Sequence, residues 1–501
     1  MVRWRRAVAI QQDCCTVQAS PELAARLRAQ NQTATGRAAL PVGLTEPRRF
    51  GFNDGVILPP GAFPRGTSAR RVRQAALERA PLRGTVRVVV VLVDFPDRAL
   101  GEGQAERFRD LFFSTGVVPT GSVTEYFTDV TGGLVEIAGE VVGPFTMPQP
   151  LAWYANGNYG IGNPSGEARA QILAADAARA ADASVDFGPY DNDGNGYVDA
   201  FIVVHAGRGG EETGDPGDLW SHKWVLPEEY PTDGATIFGY LTIPEDAKLG
   251  VSAHELGHLV FGFPDLYDID GSSEGIGNWC LMAGGSWNGG GDTPAHPSAW
   301  CKVKQGWASL TNVTAAQTLT LPDVKTSRTV HRLWTDGAEG PEAFLLENRQ
   351  QSGYDRELPG GGLLIWHVDD SREDNSDESH FLVGLLQADG ARDLEQASNR
   401  GDGGDQYPGW ADNRTLDATS TPSSVSHAGQ DSGVVVTAIS DQGEVMTAAV
   451  GVSGSTEPSP DGDGGEGLDP RVTALEERVR VLEQAVVGAG YSLGQVSSPQ
   501  G

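Results

Sequence analysis

A continuous run of β-branched and apolar residues, TVRVVVVLVDF, interrupts an otherwise mixed pattern near the start of the chain. It extends from Val86 to Phe95, ends at Pro96, and predicts a strand buried on both faces. Next, SVTEYFTDVTGGLVEIAGEVVGPF predicts a helix, a turn at Gly132-Gly133 and a second strand. GEARAQILAADAARAADA has the spacing of a helix of about four turns, and FIVVHAG predicts another buried strand. The pattern indicates an α+β fold built on a mixed sheet.

After Trp307 the pattern changes to short strands separated by turns. QTLTLPDV, RTVHRLW, EAFLLENRQ, GGGLLIWHVDD and SGVVVTAIS each read as a strand. We therefore predict a first domain over residues 86–310 and a β-rich part over residues 311–452.

The C-terminal residues differ from the rest of the chain in composition and in the spacing of apolar residues. Residues 453–470 form an acidic, low-complexity stretch that predicts a disordered linker, and residues 488–501 predict a disordered tail. Between them, residues 471–487 predict a short helix, because apolar residues recur there with heptad spacing at Val472, Leu475, Val479, Leu482 and Val486. Two heptads allow weak self-association through residues 472–486, or a helix that folds back onto its own chain.

Charge is unevenly distributed along the chain. The 501 residues carry a net charge of −30, which argues against nucleic acids and membranes as partners. Residues 1–83 contain 14 arginines and 5 acidic residues, hence +9, so the remainder carries −39. This basic leader is either a solvated tail or a segment that docks on the acidic body. No apolar run reaches the roughly 18 residues of a membrane helix. The apolar stretch after Met1 is too short for a signal peptide, so export needs another route or an upstream start.

The stretch AHELGHLVFGFPDLYDIDG, residues 253–271, carries the candidate chemistry. On a helix, His254 and His258 project from one face and can bind one metal ion, with Glu255 beside them as a general base. A zinc ion would polarise a peptide carbonyl and activate a water molecule for attack, without a covalent intermediate. The alternative is a helix that carries this pattern by chance.

Residues beyond the helix supply a candidate third ligand. Gly262 predicts the helix end and Pro264 stiffens the exit, so that the chain can turn back and present Asp265. The other acidic residues within reach are Asp268, Asp270 and Glu274.

Several segments resemble one known family. HELGHLVFGFPDLYD, NWCLMAGGSWNG and HPSAWCKVKQGW are similar to the immune inhibitor A family of bacterial metallopeptidases. The similarity includes LVDFPD, SVTEYF, YDNDGNGYVDAFIVVHAG, LWSHKW, LLENRQ and GGGLLIWHVD, in the same order. It covers most of residues 86–450.

This resemblance implies a secreted zinc endopeptidase that is related to metzincins and has a zincin-like catalytic domain. By position, it makes His254 and His258 zinc ligands, Asp265 the third ligand and Glu255 the general base. Met282 would form the turn beneath the metal, where a flexible apolar side chain packs well. Residues 1–85 would be a pro-segment that blocks the cleft until it is removed.

The sequence departs from the metzincin pattern in two places. That pattern has glycine three residues after the second histidine and the third ligand six after it, whereas Gly262 and Asp265 lie four and seven after His258. The loop is therefore one residue longer. No tyrosine follows the methionine, which leaves His222 and His296 as candidates to stabilise the transition-state oxyanion.

Four cysteines add two further possibilities. Cys280 and Cys301 flank a glycine-rich loop and could form a disulfide bond. Cys14 and Cys15 are adjacent, so a bond between them would be strained. Either one could ligate zinc in a latent form, but nothing in their sequence context supports this role and we do not predict it.

DNDGNGYVD predicts a calcium loop between the alanine-rich helix and the next strand. Its candidate ligands are the side chains of Asp191, Asp193, Asn195 and Asp199 and the carbonyl of Tyr197. The position of the final EF-hand glutamate is occupied by isoleucine, so the alternative is a hydrogen-bonded turn.

The sequence thus favours a zinc-dependent endopeptidase that acts on protein substrates, in which Glu255 deprotonates a zinc-bound water and calcium stabilises the fold. The alternatives are a catalytically inactive, calcium-dependent surface protein on a peptidase fold and a zinc hydrolase of non-protein amides. Glu255 favours the enzyme, because a binding protein does not need a general base.

Overall fold

The computed structural model describes residues 15–32, 80–162 and 167–453. These residues form a mixed α/β structure with a six-stranded, a five-stranded and a three-stranded sheet. The predicted mixed sheet is the six-stranded one. In spatial order its strands are β1 (Cys15–Thr16), β5 (His222–Pro231), β6 (Thr236–Pro244), β4 (Phe201–His205), β2 (Gly84–Asp94) and β3 (Val135–Thr146). Strands β6, β4, β2 and β3 are parallel, whereas β5 and β1 are antiparallel to their neighbours.

Strand β2 is buried on both faces, as its sequence predicts. Val88 and Val90 point into one hydrophobic cluster, which also contains the apolar residues of the HELGH helix. Val89 and Val91 point into a second cluster on the opposite face, with the alanine-rich helix. Alternate residues of one strand therefore support two layers of the domain.

Helices cover both faces of this sheet. The helices that precede residue 310 in the described ranges are α1 (Pro21–Gln32), α2 (Gln104–Phe113), α3 (Val123–Thr131), α4 (Leu151–Ala155), α5 (Ala170–Ala181), α6 (Gly210–Thr213), α7 (Leu249–Leu259) and α8 (Ala299–Lys304). Helix α3 begins with a capping box between Ser122 and Glu125. Its C-cap is Gly132, at the turn that the sequence predicts. No helix among the described residues is both long and apolar enough to cross a membrane.

Helix α7 contains HELGH and is buried along its whole length. It approaches the 284–291 loop so closely that a Cβ atom on Gly250 would lie 1.8 Å from the carbonyl oxygen of Ser286. A helix enclosed in this way holds its side chains in fixed positions.

The five-stranded and three-stranded sheets follow residue 308. Their strands are β7 (Ser309–Asn312), β8 (Gln317–Pro322), β9 (Thr329–Leu333), β10 (Glu342–Arg349), β11 (Gly362–Asp369), β12 (Val383–Leu385), β13 (Val434–Thr437) and β14 (Val445–Val452), and helix α9 (Val324–Ser327) follows β8. The spatial orders are β12-β11-β10-β9-β7 and β13-β14-β8. Both sheets contribute to one apolar cluster that includes Phe344, Ile365 and Met446.

Some predictions concern residues outside the described ranges. They are most of the 1–85 segment including Cys14, almost all of the 453–470 linker, the 471–487 helix with its self-association surface, and the 488–501 tail.

Candidate metal centre and active site

Helix α7 brings its two histidines together at one point. His254 and His258 are fully buried, with ring planes at 84° and centroids 4.7 Å apart. The edges of the rings meet, and the two Nε2 atoms are 3.0 Å apart. The four-residue spacing places both nitrogens where one ion can reach them.

The chain reverses after α7 and returns Asp265 to the same point. Gly262 makes this reversal with a φ of 64°, a conformation that favours glycine, and its amide donates to the carbonyl of His258 at 3.0 Å. Asp265 Oδ1 then lies 3.2 Å from His254 Nε2 and 3.1 Å from His258 Nε2. The loop after His258 is one residue longer than in the metzincin pattern, but the Asp265 side chain still faces both histidines.

Backbone carbonyls orient both imidazole rings. His254 Nδ1 donates to the carbonyl of Leu281 at 2.9 Å, and His258 Nδ1 donates to the carbonyl of Phe263 at 2.6 Å. Because a carbonyl only accepts hydrogen bonds, each Nδ1 carries the hydrogen in the neutral rings and each Nε2 carries a lone pair. Two lone pairs and a carboxylate oxygen therefore converge.

These three atoms fit a zinc ion. They are separated by 3.0–3.2 Å, close to the roughly 3.3 Å between ligands of a tetrahedral zinc with bonds of about 2.0–2.1 Å. Both carboxylate oxygens of Asp265 are buried and lack a hydrogen bond of normal geometry. Burial by itself raises the pKa of Asp265, but the adjacent histidines outweigh it and lower that pKa below its usual value. Burying three such atoms together is costly unless a proton or a cation lies between them, and the set of two imidazole nitrogens and a carboxylate suits zinc.

Glu255, the predicted general base, is buried on helix α7 next to His254 in sequence. Its carboxylate is fully buried, and neither oxygen has a hydrogen bond of normal geometry. Burial first, and the negative charge of Asp265 second, raise the pKa of Glu255 well above its usual value. A carboxylate with a raised pKa is a better proton acceptor near neutral pH.

Met282 packs against helix α7 at Gly257. It is fully buried, and a Cβ atom on Gly257 would lie 2.6 Å from its sulfur. Gly257 separates the two histidine positions, so Met282 packs directly under them. The carbonyl of the preceding Leu281 orients His254, and the carbonyl of Met282 accepts from the amide of Leu266 at 2.8 Å. This turn therefore supports both the histidines and the loop that carries the third acceptor.

The alternative acidic ligands are engaged elsewhere. Asp268 accepts a hydrogen bond from the amide of Ser273 at 2.8 Å, and Asp270 accepts one from the amide of Ser272. Glu274 accepts one from the guanidinium of Arg400 at 3.0 Å. Of the four candidate acids, Asp265 is the one that faces both histidines in the described structure.

The two histidines considered for oxyanion stabilisation are held by hydrogen bonds within the fold. His222 contacts the carbonyl of Trp220 at 2.7 Å and the hydroxyl of Tyr240 at 2.9 Å. His296 Nε2 contacts Asp129 at 3.1 Å. These contacts give no support to either residue in that role.

The predicted disulfide bond between Cys280 and Cys301 is absent. Both residues are buried thiols, and the two thiols hydrogen-bond each other. Cys280 Sγ also accepts from the amides of Met282 at 3.3 Å and Ser298 at 3.2 Å. The prediction of proximity was correct and the prediction of a bond was wrong, because each thiol is satisfied by hydrogen bonds that sequence spacing does not reveal.

The predicted calcium loop brings three carboxylates together. Oxygens of Asp191, Asp193 and Asp199 lie within 4.8 Å of one another. The same loop has the hydrogen bonds of a tight turn: Asp191 accepts from the amide of Asn195 at 3.0 Å, and Asn195 accepts from the amide of Tyr197 at 2.9 Å. Its geometry is therefore compatible with both interpretations.

One residue at the metal centre was not predicted from the sequence. The ligand atoms of Cys15, His258 and Asp265 lie within 4.8 Å of one another, and all three residues are buried. The pairing of β1 with β5 places this thiol there. Neither the spacing of the cysteine nor its neighbours in sequence signal that pairing.

Comparison with known proteins agrees with this geometry. Residues 80–311 match the model of the immune inhibitor A peptidase M6 catalytic domain. This segment, a little under half of the chain, is therefore similar to an immune inhibitor A-type peptidase domain. The resemblance inferred from its motifs is confirmed over this range, which contains His254, Glu255, His258 and Asp265.

Individual relatives carry names of the same kind. Immune inhibitor A of Bacillus thuringiensis subsp. alesti is 33% identical over 229 residues, which cover 38% of this chain and 33% of that protein. Pre-pro-metalloprotease PrtV of Vibrio cholerae serotype O1 is 28% identical over 272 residues, covering 44% of this chain and 29% of that protein. The chain thus spans about a third of the length of these curated relatives.

Proposed function

We propose that this protein is a secreted zinc endopeptidase that hydrolyses protein substrates. In this proposal residues 86–310 are a zincin-like catalytic core, residues 311–452 are its β-rich continuation, and residues 1–85 are a pro-segment. The observation that carries the proposal is the convergence of His254 Nε2, His258 Nε2 and Asp265 Oδ1 within 3.2 Å, next to a buried glutamate. The names of the relatives, a metalloprotease among them, support the same activity.

The residues of the chain have separate tasks in this reaction. His254, His258 and Asp265 would hold the zinc, and the carbonyls that accept from the histidine Nδ1 atoms keep each Nε2 lone pair directed at it. When bound, zinc polarises the scissile carbonyl and lowers the pKa of the attacking water. Glu255 takes the proton from that water and then delivers it to the departing amine.

Glu255→Ala tests this proposal, with casein as substrate. The full chain is assayed before and after brief treatment with trypsin, which is then inhibited, and zinc content is measured throughout. We expect treated wild-type protein to hydrolyse casein. Glu255→Ala should lose activity by about 10²- to 10⁴-fold, the usual contribution of a general base, and keep one zinc per chain. Glu102→Ala is the matched control, because Glu102 is exposed.

Two results would contradict the enzyme proposal. Equal hydrolysis by wild type and Glu255→Ala would remove Glu255 from the mechanism. Zinc binding without hydrolysis in any form would favour the alternative, a calcium-dependent binding protein on a peptidase fold.

We also propose that the 191–199 loop binds calcium. The support is the grouping of Asp191, Asp193 and Asp199, with Asn195 and the Tyr197 carbonyl completing the ligands of a calcium loop. Calcium should raise the Tm of the wild-type protein more than magnesium does, and Asp193→Asn should remove most of that increase. An equal response of both proteins to calcium would assign the loop to a simple turn.

A further inference from the structure

Residues 15–20 begin at the metal centre with the short strand β1, Cys15–Thr16. Cys15 and Thr16 pair antiparallel with β5, and the amide of Val17 donates to the carbonyl of Ser221 at 3.2 Å. The hydroxyl of Tyr267 donates to the carbonyl of Thr16 at 2.6 Å. Backbone groups on both sides of this short segment are therefore bound by the catalytic domain.

Two tryptophans extend this attachment. Trp220 Nε1 donates to the carbonyl of Val17, and Trp287 Nε1 donates to the carbonyl of Gln18, each at 2.8 Å. Val17 and Cys15 are 1% exposed. The segment is therefore packed into the domain and shields the metal centre from solvent.

Helix α1 holds the segment from its other end. Ser20 caps the helix, because its Oγ accepts from the amide of Leu23 at 3.1 Å, and Leu23 is buried in the main core. Gln18 Nε2 donates to Glu274 at 3.1 Å, and Arg28 forms an ion pair with the same carboxylate. Glu274, which the sequence offered as a zinc ligand, instead receives a positive charge from the N-terminal segment.

The Cys15 sulfur lies at the candidate metal centre, beside His258 and Asp265. This sulfur and the ligand atoms of His258 and Asp265 lie within 4.8 Å of one another. Asp265 and Glu255 are neighbours, and the carboxylate oxygens of both are buried without hydrogen bonds of normal geometry. A catalytic zinc site has three protein ligands and one open position, and thiolate is a strong zinc ligand.

We propose that the Cys15 thiolate is the fourth zinc ligand of a latent form of this protein. This inference rests on the proposed zinc site at His254, His258 and Asp265. On binding, the thiol releases its proton to solvent and its sulfur takes the position that a water molecule needs. The segment then leaves Glu255 no water to deprotonate, so hydrolysis requires removal of residues 15–32 from the cleft.

Cobalt substitution of the full chain tests this ligand directly. A thiolate bound to Co²⁺ gives an intense near-ultraviolet charge-transfer band that nitrogen and oxygen ligands do not give. We expect the band in wild-type protein and in the matched control Cys14→Ser. Cys15→Ser should bind one cobalt without the band. In the zinc form, untreated Cys15→Ser should hydrolyse casein at least tenfold faster than the untreated wild type.

The outcomes separate this inference from the proposed function. One bound cobalt with no thiolate band in wild type, or a band that persists in Cys15→Ser, overturns the Cys15 ligand and leaves the peptidase proposal intact. A wild-type protein that binds neither zinc nor cobalt overturns both. If Cys15→Ser does not fold, alkylation of wild-type protein still decides: zinc should slow iodoacetamide labelling of the Cys15 peptide at least tenfold, and equal labelling with and without zinc overturns the proposal.

Discussion

Two groups of histidines in this protein have similar composition and different geometry. At the metal centre, His254 and His258 meet edge to edge, with ring planes at 84°. In the C-terminal sheets, His367, His427 and His380 stack face to face, with centroids 4.0 and 3.9 Å apart and ring planes at 7° and 20°. The stacked histidines line a cavity of about 390 Å³. Ligand atoms of Glu342, His367 and His427 also lie within 4.8 Å of one another, but the stacked rings are nearly parallel, whereas the rings of His254 and His258 are nearly perpendicular.

The partners of each ring explain this difference. At the metal centre, backbone carbonyls bind the Nδ1 atoms and leave both Nε2 atoms facing Asp265. In the stacked group, Glu342 accepts from His367 Nε2 at 2.9 Å, so the nearest carboxylate is already engaged. His380 Nε2 is likewise paired with a carboxylate, at 2.7 Å. The two groups therefore differ in the orientation of their rings and in the partners of their Nε2 atoms.

Removal of the Asp265 carboxylate should have the largest effect, a loss of zinc affinity. We expect Asp265→Ala to lower zinc affinity by more than about 100-fold, because loss of even an outer-shell partner of a metal ligand costs 10- to 100-fold. Chelator competition measures the affinity. Asp270→Ala is the matched control, since Asp270 lies in the same loop and faces a serine amide. Unchanged zinc retention in Asp265→Ala would remove Asp265 from the site.

The substitution Gly257→Ala adds a methyl group to helix α7 between the two histidine positions. It should lower the stability of the protein without altering a proposed metal ligand. In Gly257→Ala the new Cβ lies 2.6 Å from the Met282 sulfur. We expect a loss of about 1–3 kcal/mol in unfolding free energy, the usual penalty for overpacking a core. Denaturant unfolding measures it. A second change, Met282→Ala, should remove the clash, so the double variant should be more stable than the sum of the single effects predicts; simple additivity would show that the two residues do not interact.

Acid should affect the stacked group at a predictable pH. Burial first, and the neighbouring His367 and His380 second, lower the pKa of His427 to about 4. Because this pKa lies below the unfolded value of about 6.5, the unfolded chain binds more protons between these values. The contribution of neutral His427 is thus present above pH 6.5 and is lost as pH falls toward 4. His427→Gln should show a smaller decrease in Tm over this range than wild type, and an identical decrease would show that another group titrates.

The smallest expected effect is on metal content. His427→Gln and His367→Phe should each leave zinc at one per chain, because the carboxylate of Glu342 is already engaged by His367 Nε2. Elemental analysis of the dialysed proteins checks this. Two zinc ions in wild type and one in either variant would show that the stacked group also binds metal. The two groups of histidines would then not differ in metal binding.

Short-range features of the site followed from the sequence. The positions of His254, Glu255 and His258 depend on helix periodicity, and the return of Asp265 depends on the turn at Gly262; each involves residues close in sequence. The buried strand at Val86–Phe95 was equally predictable, because a continuous β-branched run fits a strand covered on both faces.

Long-range features were decided by the tertiary structure. Cys15 reaches the metal centre only because β1 pairs with the edge of β5, and Cys280 Sγ accepts a hydrogen bond from the amide of Ser298, which lies 18 residues away. The stacked histidines come from different strands and loops. The sequence by itself therefore determined the residue types of the candidate centre and its helix, since local spacing controls them. The tertiary structure decided the position of Cys15 and the orientation of the His254 ring, because these depend on contacts between segments far apart in the chain.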